Sequence, residues 1–366
     1  MAKQEQRQYG SGTLDKGLDV LETLERATEP LRILDLANLT KLDRATVFRL
    51  LCTLEDRGYV ERLDDKRYSV KNRKRQPRVF YIAPLAGNSF RVDVTASLRA
   101  AALNHGIHLE MIDTADTEIP RDQVNEAIRS AADAVILFQR RGSLAHVLAD
   151  RFLQEQIPVI SVETPIAGAI YFGGNSYRAG LMAGEALGGY AQRHWKGEFD
   201  RLLLIESSLS AVENMARLTG TVEGINSIVG QVPPEKIIHV DGLASREASR
   251  EACLRALKSL PQKSRVLVSC FNDPSAIGAL AAVNESGRAA SCAIVGQNGT
   301  EESRSELAHR SSALIASVAY FPERYGEQLI KIAASVIAHQ KTPLAVYVDH
   351  VLLNRNNLKK LYPATR

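Results

Sequence analysis

The chain has 366 residues, 45% of them hydrophobic and 24% charged, and a formal net charge of +4. That length supports two or three hydrophobic cores, and the composition excludes a disordered or low-complexity chain. The opening MAKQEQRQYGSGTLDK lacks the apolar segment of a secretion signal, and no later run approaches the roughly 18 apolar residues of a membrane span, so a cytoplasmic protein with no membrane contact is expected.

Residues 1–78 hold 17 Lys and Arg against 13 Asp and Glu, which accounts for the whole net charge and leaves the remainder balanced. A basic segment beside a neutral one marks where nucleic acid would dock, because phosphate attraction does not depend on sequence. Within it, Leu14, Leu18, Leu21 and Leu24 recur at helical spacing and predict a helix ending near Ala27; Leu31, Leu34 and Leu36 mark a second, short one. A third helix follows. Asp43 is placed as its N-cap, Val47, Leu50, Leu51 and Leu54 form its apolar stripe, and Gly58 follows its end. With that stripe inward, Ala45 and Arg49 point most directly outward, flanked by Arg44, Thr46 and Phe48. Small and basic residues there suit a helix that enters a major groove. Tyr59 to Leu63 and Arg67 to Val70 alternate as short strands around Asp64, Asp65 and Lys66, which predicts a hairpin wing.

From GTLDKGLDVLETL through LANLTKLDRATVFRLLCTLEDRGYVERLDDKRYSV, this segment resembles the winged helix-turn-helix domain of the IclR family of regulators. The resemblance implies that Arg44, Thr46 and Arg49 contact operator DNA, with Ala45 on the same face and Lys66 and Arg67 available to phosphates. The alternative is an adaptor whose head docks on protein. KNRKRQP, Lys71 to Pro77, then reads as a linker, either a flexible tether or a further grip on the backbone.

Beyond Pro77 strand and helix signals alternate: RVFYIAPL, IHLEMIDT, ADAVILFQ and IPVISVE are strands with helices between them. FDRLLLIES, EKIIHVDG, SRVLVSCFN and CAIVGQN open a second set of the same kind. Two doubly wound α/β lobes in series imply a cleft between them, with ligands bound beyond the carboxyl ends of the strands.

IAPLAGNSF, IPVISVE, FGGNSYRAGLMAGEAL, VSCFNDPSAIGAL and IVGQNG followed by SVAYFPERYG resemble, in that order, the type I periplasmic binding protein fold, which also serves as the effector domain of LacI-type regulators. The resemblance covers about residues 79–361. It implies ligand contacts at Asn88, Phe90, Glu163, Asp273, Asn298 and Tyr320, a sugar-like set in which polar side chains meet hydroxyls and an aromatic face meets the ring. Asp273 before Pro274 is also placed to cap a helix, and Asn298 to serve a turn. Where sugar receptors carry an Arg on the crossing helix this chain has Thr221, with Arg217 one turn earlier able to supply the guanidinium. Arg140, after a first-lobe strand, is a candidate for an anionic group or a solvated loop residue.

The expected organisation is therefore a tail at 1–12, the winged helix at 13–71, a linker at 72–78 and the ligand domain at 79–361. Lobe one takes about 79–173 and 321–343, and lobe two about 174–320 and 344–361. Hinge crossings are expected near Gly173 to Asn175, Val318 to Phe321 and Thr342 to Leu344. Cys52, Cys253, Cys270 and Cys292 lack CxxC spacing and read as structural thiols, and the eight histidines form no HExxH. With no GxSxG or GxxxxGK[ST] either, no enzyme, cofactor or metal site is expected. The expectation is a homodimeric, ligand-responsive transcription regulator that binds double-stranded DNA and senses a small polar metabolite, most plausibly a sugar or sugar derivative.

Overall fold

The computed structural model describes residues 11–27, 29–70, 76–85, 89–114, 121–139, 141–210 and 215–363. It divides the chain into two compact units, Met1–Gln76 and Pro77–Arg366.

The first unit holds α1 (Gly12–Arg26), α2 (Ile33–Thr40), α3 (Arg44–Asp56), β1 (Val60–Arg62) and β2 (Tyr68–Val70). Asp43 caps α3 as its position predicts, its side chain accepting from the Thr46 N–H at 2.9 Å. Gly58 turns the chain out of the helix at φ +71°, a conformation that costs glycine little. The two strands pair antiparallel, Val60 with Val70 and Arg62 with Tyr68, and Leu31 bridges to Tyr68 from the other side. Val20, Leu24, Leu36, Val47, Leu51, Val60 and Tyr68 are buried together, so every element contributes to one core.

The second unit begins with β3 (Arg78–Ala83), α4 (Ser89–Asn104), β4 (His108–Asp113), α5 (Arg121–Arg129), β5 (Ala134–Leu137), α6 (Gly142–Gln154), β6 (Val159–Val162) and β7 (Ile170–Gly173). It continues through α7 (Ser176–Trp195), β8 (Arg201–Glu206), α8 (Ala216–Val229), β9 (Ile237–Asp241), α9 (Arg246–Lys258), β10 (Val266–Cys270), α10 (Asp273–Glu285), β11 (Cys292–Asn298), α11 (Glu301–Ala308) and β12 (Leu314–Ala319). The chain ends with α12 (Tyr325–Ile337), β13 (Ala345–Tyr347), β14 (Val351–Leu353) and α13 (Leu358–Leu361). Two six-stranded sheets result, in the orders β13-β7-β6-β5-β3-β4 and β14-β12-β11-β10-β8-β9. Within these two sheets, among the described residues, only β14 runs antiparallel to its neighbour. Central strands such as β5, β6 and β10 are buried at every position, since helices cover both faces of a parallel sheet.

The chain passes between the sheets after β7, after β12 and between β13 and β14. This last crossing corrects an expectation. Ala345 and Tyr347 pair with Tyr171 and Gly173 of β7, so 345–347 belong to the first lobe and the passage falls at 348–350, later than Thr342 to Leu344. Periodicity could not show it, because a three-residue edge strand carries almost no pattern.

A second unforeseen feature is the junction of α7 and α8. Gly180 and Gly184 on α7 lie against the stretch of α8 that holds Gly220 and Gly224, and Gly188 lies against Ile225 and Ile228; a Cβ at Gly180 would lie 1.9 Å from the Arg217 carbonyl oxygen, one at Gly184 2.1 Å from that of Thr221. The backbones touch, and any larger residue must force the helices apart. Among the described residues no helix is long and apolar enough to cross a membrane.

Candidate functional site

On the head, α3 presents Arg44, Ala45 and Arg49 exposed, opposite buried Val47 and Leu51. Thr46 is half-buried and partly engaged. Its hydroxyl donates to Asp43 at 2.7 Å and accepts from Arg49 at 3.5 Å, and the first of these bonds is the main reason the Asp43 carboxyl sits below its usual range. Lys66 is exposed at the hairpin tip in the left-handed region, φ 63°. Arg67 is half-buried and paired with Asp65 at 2.5 Å, so its charge is partly answered within the wing. The face of α3 is the freer of the two.

In the second unit a half-open cavity of about 70 Å³ lies at the carboxyl ends of the strands. Phe90, Arg91, Phe138, Glu163 and Thr164 line it from the first lobe, and Ser210, Arg217, Phe271, Asn272 and Asn298 from the second. Each lining residue follows a strand or opens a helix, as the architecture requires. A larger crevice of about 1050 Å³ lies beside the hinge; its charged lining, Asp150 and Arg151, and His146 are exposed, and Asn175 and Ser176 are half-buried. The smaller cavity is the one that concentrates buried polar chemistry.

Arg217 is its centre. The glycine contact sets the first turn of α8 directly on α7, which brings this guanidinium inward, 5% exposed. Its Nη1 donates to the Phe271 carbonyl and its Nη2 to Ser176 Oγ at 3.4 Å. The guanidinium carbon lies 4.8 Å from the Phe271 ring centroid and 5.5 Å from that of Tyr320. Nε is buried with no partner among the described residues. A buried donor left unmatched costs about 1–3 kcal/mol, which a ligand acceptor would recover.

Glu163 follows β6 in the left-handed region, φ 60°, a strained setting for a side-chain-bearing residue. Its Oε1 accepts from the Tyr325 hydroxyl at 2.6 Å and from the Gly174 N–H at 3.1 Å. Desolvation pushes its carboxyl above the usual range, opposed by the Tyr325 bond, the field of Arg217 and the Gly174 bond. Tyr320 backs the cavity: its ring meets Phe90 edge-on at 6.3 Å and its hydroxyl donates to Gln297 at 3.3 Å. His350 in the third crossing accepts from the Asn175 N–H of the first at 2.9 Å and packs on Tyr320 at 4.4 Å. Burial, then the charges of Arg217 and Arg178, lower it to about 4. It is neutral at pH 7.

Four expected ligand residues, Phe90, Glu163, Arg217 and Asn298, thus come together on one cavity, with Tyr320 behind them. Two do not reach it. Thr221 is fully buried inside the second lobe, its hydroxyl bonded to the Arg217 carbonyl at 3.0 Å and to Ser269 at 3.2 Å. Asp273 is also fully buried, accepting from the Thr300 N–H at 2.7 Å, Ser303 at 2.6 Å and Ser317 at 2.6 Å. That carboxylate ties α10 to the segments around β11 and β12, and its oxygens are spent on structure. The residue before it, Asn272, is the one that lines the cavity while also capping α10 through Ser275 N. Of these two neighbours, Asn272 and not the expected Asp273 faces the cavity. Arg91, Phe138, Thr164, Ser210 and Phe271 also line it without having been expected there; Arg91 lies in the first turn of α4, and the others follow β5, β6, β8 and β10 within a few residues. Asn88 and Arg140 lie outside the described residues.

Over residues 79–341 the chain matches the periplasmic binding protein domain family, and over residues 13–64 the IclR helix-turn-helix domain. No curated relative matches it. Among solved structures it resembles a periplasmic solute binding protein of an ABC transporter from Actinobacillus succinogenes 130z with bound D-allose: 17% identity, TM-score 0.67, 78% of this chain and 99% of that one. GanP, a glucose-galactose binding protein from Geobacillus stearothermophilus, is 21% identical with a TM-score of 0.65, over 78% and 99% of the two chains. A solute binding protein from Bacillus halodurans C-125 with bound myo-inositol is 17% identical with a TM-score of 0.67, over 78% and 97%. At these identities the likeness is one of fold. The order of strands, the interlobe cavity and the two matched regions agree: the chain belongs to the periplasmic binding protein domain family and carries an IclR-type helix-turn-helix domain ahead of it.

Proposed function

We propose that the protein is a ligand-responsive DNA-binding transcription regulator, cytoplasmic and homodimeric, that senses a sugar, polyol or sugar derivative in the interlobe cavity. The observation that carries the ligand class is the lining: two guanidiniums, Arg91 and Arg217, the latter with a spare buried Nε–H, one carboxyl group, two amides and aromatic walls, contributed by both lobes. Guanidiniums donate and the carboxyl group accepts, amides serve hydroxyls in either direction, and rings cover the apolar face of a sugar. The molecules bound in two of the similar structures, D-allose and myo-inositol, are of that class. About 70 Å³ holds a few waters and less than a sugar ring, so the lobes part to admit ligand and close on it. Closure acts on DNA binding only if the two lobe arrangements differ in how they hold the heads.

DNA as the partner of the head rests on the IclR match and on the exposed Arg44, Ala45 and Arg49 of α3, with Lys66 and Arg67 at the wing as weaker contributors. Residues 1–70 hold 12 Lys and Arg against 13 Asp and Glu, so the basic excess resides in KNRKRQPR, 71–78. The head therefore grips through a local face, and the linker carries the general phosphate attraction. A two-fold operator is the natural partner of a dimer.

The test has two arms. Thermal shift against D-allose, D-glucose, D-galactose, myo-inositol and glycerol should yield at least one stabilising ligand, with affinity falling about 100-fold or more in Arg217→Met, since a buried charged hydrogen bond is lost. Duplexes selected from a random pool by the full chain should bind with an affinity that this ligand changes. Saturable ligand binding without any selected duplex would favour the adaptor reading.

A further inference from the structure

The outward face of α3 is not uniformly polar. Phe48 is 48% exposed and is not part of the head's core. At helical spacing its neighbours are Arg44 one turn before, Ala45 three residues before and Cys52 one turn after. Arg44 and Ala45 are exposed and Cys52 is half-buried. Ala45, Phe48 and Cys52 form an apolar strip bounded by Arg44 and Arg49, on the helix proposed to enter the major groove. Core packing does not require a phenylalanine there, because Val47, Leu50, Leu51 and Leu54 already fill the inward side.

We infer that Phe48 is a specificity-determining residue that reads thymine through its 5-methyl group, with Ala45 extending the contact; this rests on the DNA-binding reading of the head. In the major groove thymine presents a methyl beside the O4 acceptor, whereas cytosine presents an N4 amine donor and no methyl. An aromatic edge gains dispersion contact with the first and strips water from the donor of the second without replacing its bond. Arg44 and Arg49, on either side, hold phosphates or guanine edges and fix the register in which the ring meets its base.

The experiment uses the full chain and the best duplex it selects from a random pool. Each thymine in the duplex is replaced in turn by deoxyuridine, which keeps every hydrogen bond and removes only the methyl. Wild type should lose about fourfold in affinity at one or two positions per half-site, the worth of one apolar group. Phe48→Ala should bind the parent duplex about tenfold more weakly and be indifferent to deoxyuridine at those same positions, with cytosine tolerated there. Phe48→Leu, which keeps an apolar tip, should retain part of the methyl preference, and it serves as the readout if the alanine variant does not fold. Equal affinity of Phe48→Ala and wild type overturns the inference, as does weaker binding with an unchanged deoxyuridine profile. Failure of wild type to select any duplex overturns the DNA reading of the head and this inference with it, a result distinct from the other two.

Discussion

In the head, the residues proposed to meet DNA are those the core does not use, whereas in the ligand domain the proposed contacts are built into the core itself. Arg49 and Phe48 stand in solvent opposite Val47 and Leu51. Arg217 is 5% exposed, stacked on Phe271 and bonded to its carbonyl, and Glu163 is tied to Tyr325 and Gly174. The difference follows from the partners. A duplex arrives as a large, solvated surface and needs only a presented face, while a small polar molecule must be wrapped and desolvated, so its hydrogen-bond partners are positioned by packing. Substitutions in the head should therefore separate binding from stability, and those near the cavity should not always do so.

The comparison is tested most severely at Asp273, which lies in the ligand domain yet is argued to serve structure alone. Asp273→Ala removes the acceptor for three buried donors and should destabilise the second unit by about 3–5 kcal/mol in chemical denaturation. A variant of normal stability that no longer bound ligand would return Asp273 to the site.

The next effect concerns His350 and pH. Its folded value of about 4 lies below its unfolded one of about 6.5, so the unfolded chain takes the proton first. The stability linked to it is complete above pH 6.5 and is lost as pH falls toward 4, by up to about 3 kcal/mol. Glu163 and Asp273 are shifted upward and act in the opposite sense, so the wild-type profile alone mixes these contributions. His350→Gln keeps an acceptor near Asn175 N–H and does not titrate. Thermal melts of both proteins at pH 7 and pH 4.5 should show the wild type losing ground to the variant on acidification. Parallel profiles would remove His350 from the hinge account.

In the head, Arg49→Ala should leave the melting temperature within about 2 °C of wild type, as expected of a change at an exposed side chain. It should weaken duplex binding by about tenfold in fluorescence anisotropy and reduce the salt slope by about one if the contact is to phosphate. A large loss of stability with unchanged affinity would reverse the contrast between the two regions. The smallest effect is expected at Thr221→Val, which should alter ligand affinity by less than about twofold while costing about 1 kcal/mol of stability through its lost bonds.

How far these assignments could be read in advance varies with the kind of residue. The stripe Val47, Leu50, Leu51 and Leu54 named both the recognition helix and its outward face, because one period of 3.6 residues settles both. The strands of the ligand domain were legible as short continuous apolar runs, because helices cover both faces of a parallel sheet. The choice between Asn272 and Asp273 was not, since adjacent residues just beyond a strand leave in different directions and the turn decides which faces the cavity. Glu163 at φ 60° and Asn298 at φ 110° lie in such turns. The small-residue stripe in GLMAGEALGG carried readable information, its spacing of four marking a face where another backbone can touch, and it leads to Arg217.

What the chain determined by itself was its division into a helical head and a two-lobed α/β domain, the faces of its helices and the balance of its charge, because these depend on local periodicity and composition. Only tertiary structure decided that the third crossing follows Tyr347, that Arg217 reaches the cavity and Thr221 does not, and that the carboxylate of Asp273 is consumed internally. Those outcomes rest on contacts between residues dozens of positions apart, such as β13 on β7, α8 on α7 and Ser317 on Asp273. They are fixed by close packing and by the need of every buried polar group for a partner.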